Sequence, residues 1–210
     1  MISGRILILL LGVFILTFET FGQDHPYFMQ TEAGILLGDS EYESNEIFDR
    51  KGFTFHTFHG VHLTSKHVLG FSLGVDRYKN FTVVPIAVGW RGFLGKKENS
   101  KLFLAMDLGA GGPVSQEAFE SEWQEYRYNA GLMFNPSVGF RFPSKKGKTA
   151  LSITLGYKRQ DFSFIYGEKS RAITQTGVSS SGSVVPRGYN SYSKTKYLYH
   201  NLSLRMGIML

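Results

Sequence analysis

From about residue 27 onward, bulky apolar residues alternate with small, polar or charged ones at a period of two. Leu69, Phe71, Leu73 and Val75 interleave with Gly70, Ser72, Gly74 and Asp76. Val84, Ile86, Val88 and Trp90 interleave with Pro85, Ala87, Gly89 and Arg91, and Leu102, Leu104, Met106 and Leu108 with Phe103, Ala105, Asp107 and Gly109. Successive side chains of a strand point to opposite faces, so each segment has one apolar face and one small or polar face. The pattern predicts strands at 27–38, 52–63, 67–77, 82–94, 101–110, 128–142, 150–161 and 197–209. In the second of these, Phe53, Phe55, Val61 and Leu63 mark the apolar face, which also places His59 there.

A run of such segments, each about ten residues long, is the signature of a chain with lipid outside and polar contacts within. The expected fold is all-β: an eight-stranded antiparallel up-and-down transmembrane β-barrel with a polar, plugged lumen. The connections 64–66, 95–100 and 144–148 are short and basic, whereas 39–51, 111–127 and 162–196 are long or polar. Short turns face the periplasm and long loops the outside in outer-membrane barrels, which puts both termini in the periplasm. Tyr27, Phe28, Trp90, Phe93, Phe142, Tyr157, Tyr166, Tyr197 and Tyr199 lie near strand ends, as interfacial aromatic girdles do.

Residues 1–22 form a separate unit, with Arg5 ahead of the apolar run Ile6–Leu16 and small residues Thr20 and Gly22 before Gln23. This predicts a secretory signal peptide, a retained anchor being the alternative, with 23–210 as the barrel domain. The absence of cysteine removes disulfides, thiolate metal sites, a Cys nucleophile and a lipoprotein anchor. The net charge of +6 raises nucleic acid as a partner, but the Lys and Arg residues are scattered over turns and loops and form no stripe.

The run Gly52-Phe53-Thr54-Phe55-His56-Thr57-Phe58-His59-Gly60-Val61 is followed by a Gly-rich third strand and a strand containing Pro85. With Asp107-Leu108-Gly109, Phe134-Asn135-Pro136-Ser137-Val138-Gly139 and Leu155-Gly156-Tyr157, these segments resemble the small outer-membrane β-barrel proteins of Gram-negative bacteria. The likeness is to the outer membrane protein beta-barrel domain group, related in architecture to OmpA-like and PorT-like barrels. It spans roughly 25–210, implies architecture and an integral outer-membrane location, and brings no catalytic motif. Leu210 stands where such barrels often end in an aromatic residue.

The inward register gathers Glu32, Asp76, Arg91, Asp107, Arg141, Lys158 and Arg205 into a candidate lumen charge network. Charges in so narrow an interior must pair or meet a large desolvation cost. Gly70, Gly74, Ala87, Gly89, Ala105 and Gly139 are expected to make room for the long Arg side chains. His56, His59, His62 and His67 do not converge on one strand face, so no metal and no cofactor is expected. His200 and Ser203 fall on opposite faces, and Ser163 and Glu168 have no obvious His. The leading reading is a non-enzymatic integral outer-membrane barrel with a structural or adhesive role, or a partner in an envelope or surface-export assembly. A lipid-modifying acyl hydrolase and a soluble lipocalin-like ligand-binding barrel are the alternatives. The expected partners are outer-membrane lipid and lipopolysaccharide, with room for an envelope protein and none for nucleic acid. The last loop is basic, through Lys169, Arg171, Arg187, Lys194 and Lys196, and is expected to meet lipopolysaccharide phosphates or to fold over two acidic loops.

Overall fold

The computed structural model describes residues 27–38, 50–79, 81–95, 101–114, 119–144, 149–169, 186 and 188–210. The segment expected to be a signal peptide, the acidic stretch 39–49 and the lysines of the 96–100 and 145–148 turns lie outside the described residues. The elements are β1 (Tyr27–Gly38), β2 (Arg50–His62), β3 (His67–Tyr78), β4 (Thr82–Leu94), β5 (Leu102–Pro113), β6 (Phe119–Glu120), β7 (Gln124–Pro143), β8 (Ala150–Lys169) and β9 (Tyr189–Met209). Every pairing is antiparallel. Each long strand joins its sequence neighbour, β5 passes over β6 to pair with β7, and β1 pairs with β9, so the hydrogen-bonded ladder closes on itself. Within the ring the closed ladder leaves no strand edge with unpaired N–H and C=O groups, whereas above Asn201 β9 pairs with β8 alone among the described residues.

Among the described residues the strands number nine where eight were expected. The additional strand is the two-residue β6, which pairs only with β7, through Phe119↔Tyr126 and Glu120↔Glu125. The long strands of the ring, among the described residues, number eight. The larger departure is in length: β7, β8 and β9 run for 20, 20 and 21 residues, so that 124–127, 162–169 and 189–196, expected as loop, are strand. The three continue as a wall beyond the end where the other strands stop. A register shift between Ala130 and Met133 separates the wall from the ring. Above it Tyr128 faces Phe164 and Tyr126 faces Tyr166 across the β7–β8 pair. These aromatics continue the inward row that below carries Ser152, Thr154, Lys158 and Gln160. The outward row turns largely polar at the same height, with Ser163 on β8 and Lys194 and Lys196 on β9 around a single buried Ile165. Faces that exchange polarity do not extend the alternation below them, which is why this segment reads as loop.

Within the ring the two faces separate cleanly. Ile86, Leu132, Leu151 and Met206 each keep more than 60% of their surface exposed, and Leu73, Val88, Leu108, Leu155 and Leu204 are exposed as well. Inward neighbours such as Ser72, Asp107, Thr154 and Arg205 are buried. His59 does face outward, and its ring is satisfied there: Nδ1 shares a hydrogen bond with the Tyr27 hydroxyl and Nε2 lies 2.9 Å from Thr57 Oγ1. At the opposite end the Tyr157 hydroxyl and His200 Nδ1 pair in the same way.

The interior is layered rather than polar throughout. At the end shared by the termini and short turns, Phe28, Phe58, Val68, Phe93, Phe103, Ala105, Ala150 and Met209 form an apolar floor. Toward the other end Leu36, Tyr78 and Val83 pack with Phe81 and Tyr199, and Phe162 stacks on Tyr197 and touches Phe81. Phe28 and Phe93 are therefore core residues and not part of an outer girdle, and Tyr199 packs edge-on against buried Tyr78. Burial of each large side chain is worth about 1.5–3 kcal/mol. Aromatics fit these layers because the ring narrows its interior to side-chain width.

Candidate functional site

Between the two apolar layers lies a band of buried charge and its polar partners, built by inward positions on all eight long strands. Its centre is Asp107 on β5. Arg91 on β4 donates to Asp107 Oδ1 from Nη1 at 2.9 Å and to Oδ2 from Nη2 at 3.4 Å. Asn135 Nδ2 on β7 donates to Oδ2 at 3.2 Å, and His56 Nε2 on β2 stands 3.6 Å from the same oxygen. The Arg91 guanidinium also donates from Nε to Gln30 Oε1 at 2.8 Å and lies 4.1 Å from the centre of the Phe58 ring, a cation–π contact.

Gln30 links this pair to a second carboxylate, donating from Nε2 to Glu32 Oε1 at 2.8 Å. Glu32 also accepts the hydroxyls of Ser152 and Thr154, and Arg205 Nε lies 3.4 Å from its Oε2. Arg205 reaches on to Ser137 Oγ at 3.4 Å. A third carboxylate, Asp76, accepts Thr54 Oγ1 at 2.7 Å and is paired with Lys158 Nζ. Each carboxylate thus has one cation and at least one neutral donor. A buried ion needs that full set of partners to offset lost hydration.

Of the seven residues in the candidate network, Glu32, Asp76, Arg91, Asp107, Lys158 and Arg205 lie inside the ring in these three linked sets. Arg141 stands apart. It is half-buried beside the apolar floor, with its guanidinium carbon 6.0 Å from the Phe93 ring centre. Gln30, Thr54, His56, Asn135, Ser152 and Thr154 are partners that charge alone did not single out. The signal was the same inward alternation, applied to neutral residues. The glycines serve a different purpose from the one expected. A Cβ at Gly89 would lie 2.4 Å from Asp107 Oδ1 and 2.8 Å from the Phe58 ring, and one at Gly139 would lie 2.3 Å from the Phe103 ring. They admit the central carboxylate and the floor aromatics more than the arginine side chains.

The candidate acyl-hydrolase residues do not assemble. His200 is exposed outside the ring and Ser203 is buried within it, so the wall itself separates them. Glu168 accepts the Tyr166 hydroxyl at 2.9 Å. Among the described residues no group of three or more His, Asp or Glu side chains could hold a metal ion.

Fold and site together define a class: a closed antiparallel ring with an apolar exterior and ion pairs sealed inside. No protein-family model matches the chain, and no curated protein does. Among solved structures the chain is similar to the outer membrane protein AlkL, determined by solid-state NMR in DMPC lipid bilayers. The two share 12% identity over 87% of this chain and 88% of that one, with a TM-score of 0.46.

Proposed function

We propose that this protein is an integral outer-membrane barrel of eight transmembrane strands with a plugged interior. It performs no chemistry and serves the envelope as a structural or adhesive element, or as a partner in an envelope assembly. The observation that carries this reading is the inversion of polarity. Side chains such as Ile86, Leu132 and Met206 cover the outside, while Glu32, Asp76, Arg91 and Asp107 are sealed within. A water-soluble barrel of the lipocalin kind places its apolar rows inside, and a water-exposed apolar belt of this extent would drive association. In a bilayer the belt meets hydrocarbon, and ring closure satisfies every backbone group. The termini and short turns then face the periplasm, and the β7–β9 wall rises from the outer surface.

Cell fractionation tests the reading. The chain should be recovered with outer membranes, resist alkaline carbonate, and require detergent to stay in solution as a heat-modifiable species. Recovery as a monodisperse protein without detergent would overturn it.

A further inference from the structure

The wall has an outward face of its own. Across β7, β8 and β9 the residues Asn129, Ser163 and Lys196 form one row, and Arg127, Ile165 and Lys194 the next. Arg127, Lys194 and Lys196 are exposed, as is Arg159 lower down. Arg127 Nε lies 3.3 Å from Glu125 Oε1 and Arg159 Nε 3.6 Å from Asp161 Oδ1, so two of the four cations have a local acid. Lys194 and Lys196 enter no ion pair among the described residues. By strand geometry Arg127 and Lys194 stand about 10 Å apart, across two strand spacings, and Lys194 and Lys196 about 7 Å apart along one strand. The same strands, followed toward the ring, become apolar on this same face, through Leu198, Leu202 and Leu204 on β9 and Tyr157, Leu155 and Ile153 on β8.

We propose that this face docks the phosphorylated headgroup of an outer-leaflet glycolipid, whose acyl chains lie along the apolar rows below. The inference rests on the membrane reading above. Two observations select a lipid over a free anion. The cations are themselves exposed and spread across the strands on either side of buried Ile165 and Glu125, rather than gathered in a closed pocket. They also continue directly into the apolar belt, so one amphiphile can satisfy both regions at once. Exposed cations beside an anionic surface each raise affinity about fivefold, and paired Arg127 can exchange Glu125 for a phosphate with charge-assisted hydrogen bonds.

The test is competitive binding of lipid A bearing two phosphates, against its phosphate-free form, to the full-length protein in phosphatidylcholine nanodiscs. The native protein should favour the phosphorylated form, with the preference falling as salt rises. The variant R127Q/K194Q/K196Q should lose at least about tenfold of that affinity, while K66Q/K101Q, at the opposite end, should lose none. Equal binding of both lipids, an unchanged triple variant, or the same loss in K66Q/K101Q would overturn the site. Displacement by millimolar inorganic phosphate would assign it to a free anion and overturn the lipid assignment. Flotation of each variant with vesicles in alkali reports insertion separately. Retained flotation with unchanged binding removes only the headgroup site, whereas lost flotation of the native chain removes the membrane reading beneath it.

Discussion

Asp107 shows how much one side chain carries at the residue scale. Its carboxylate holds Arg91 and Asn135 and faces His56, all inside the ring. Asp107→Ala leaves the Arg91 guanidinium buried without its counter-ion and should cost about 3–5 kcal/mol, read as a lower unfolding temperature by heat-modifiable gel mobility in micelles. Arg141→Ala should cost about 1 kcal/mol or less, since a distant cation–π contact at the floor is what it removes. A larger loss for Arg141 than for Asp107 would displace the network's centre. Gly89→Ala should cost about 1–3 kcal/mol, because the added methyl pushes on Asp107 and Phe58 together. Parity along a strand told which residues turn inward. It could not tell how high each one sits, and height is what separates Arg141 from the other six.

At the element scale, the period of two made the lower strands readable: β1 runs over the expected 27–38 and β4 over the expected 82–94. Face assignment is tested by Leu73→Arg or Ile86→Arg, each of which should destabilise by about 2–4 kcal/mol in a bilayer. Ser72→Ala should be far milder, and the reverse order would mean a one-residue slip in register. The wall was hidden because its faces exchange polarity above the Ala130–Met133 shift. Its tip is tied by Lys169, whose ammonium bonds Glu120 Oε1 at 2.6 Å and whose backbone N–H bonds the Trp123 carbonyl at 2.7 Å. The bond from Lys169 holds the Glu120 carboxyl below its ordinary value. A group depressed by folding contributes above its unfolded pKa and loses that contribution as pH falls through the folded one. The protection of the Lys169 amide, its exchange measured against an unstructured peptide at the same pH, should therefore fall as the solution is acidified below the usual carboxylate range, and Glu120→Gln should flatten that dependence. An unchanged profile in the variant would remove Glu120 from the clasp.

On the scale of the whole molecule, the expectation of a polar plug met a different seal. Two apolar layers close the interior, and the ion pairs lie between them. Phe28 shares the inward parity of Glu32 and Phe93 that of Arg91, so the alternation itself marked both as interior, and only their place near strand ends suggested a girdle. A sealed interior predicts no steady conductance in planar bilayers. Large, reproducible, ion-selective openings of the unmodified protein would promote a channel over a structural role. A molecule closed to solutes would meet its surroundings only through its outer wall and its loops.

The seam between β1 and β9 sets the order of assembly. Its partners, from Gln30↔Met209 to Gly38↔Asn201, are separated by roughly 160–180 residues of chain, while most other ladders join sequence neighbours. Hairpins of near neighbours form at little entropic expense, but this one closure must wait for the final strand. Until then both flanking strands offer bare edges and the acids and bases of the interior stand open to water. The chain is at its most sticky one strand short of completion, so escorting proteins that shield edges are needed most at that stage, and a deletion within β9 should be met with degradation rather than with a smaller ring.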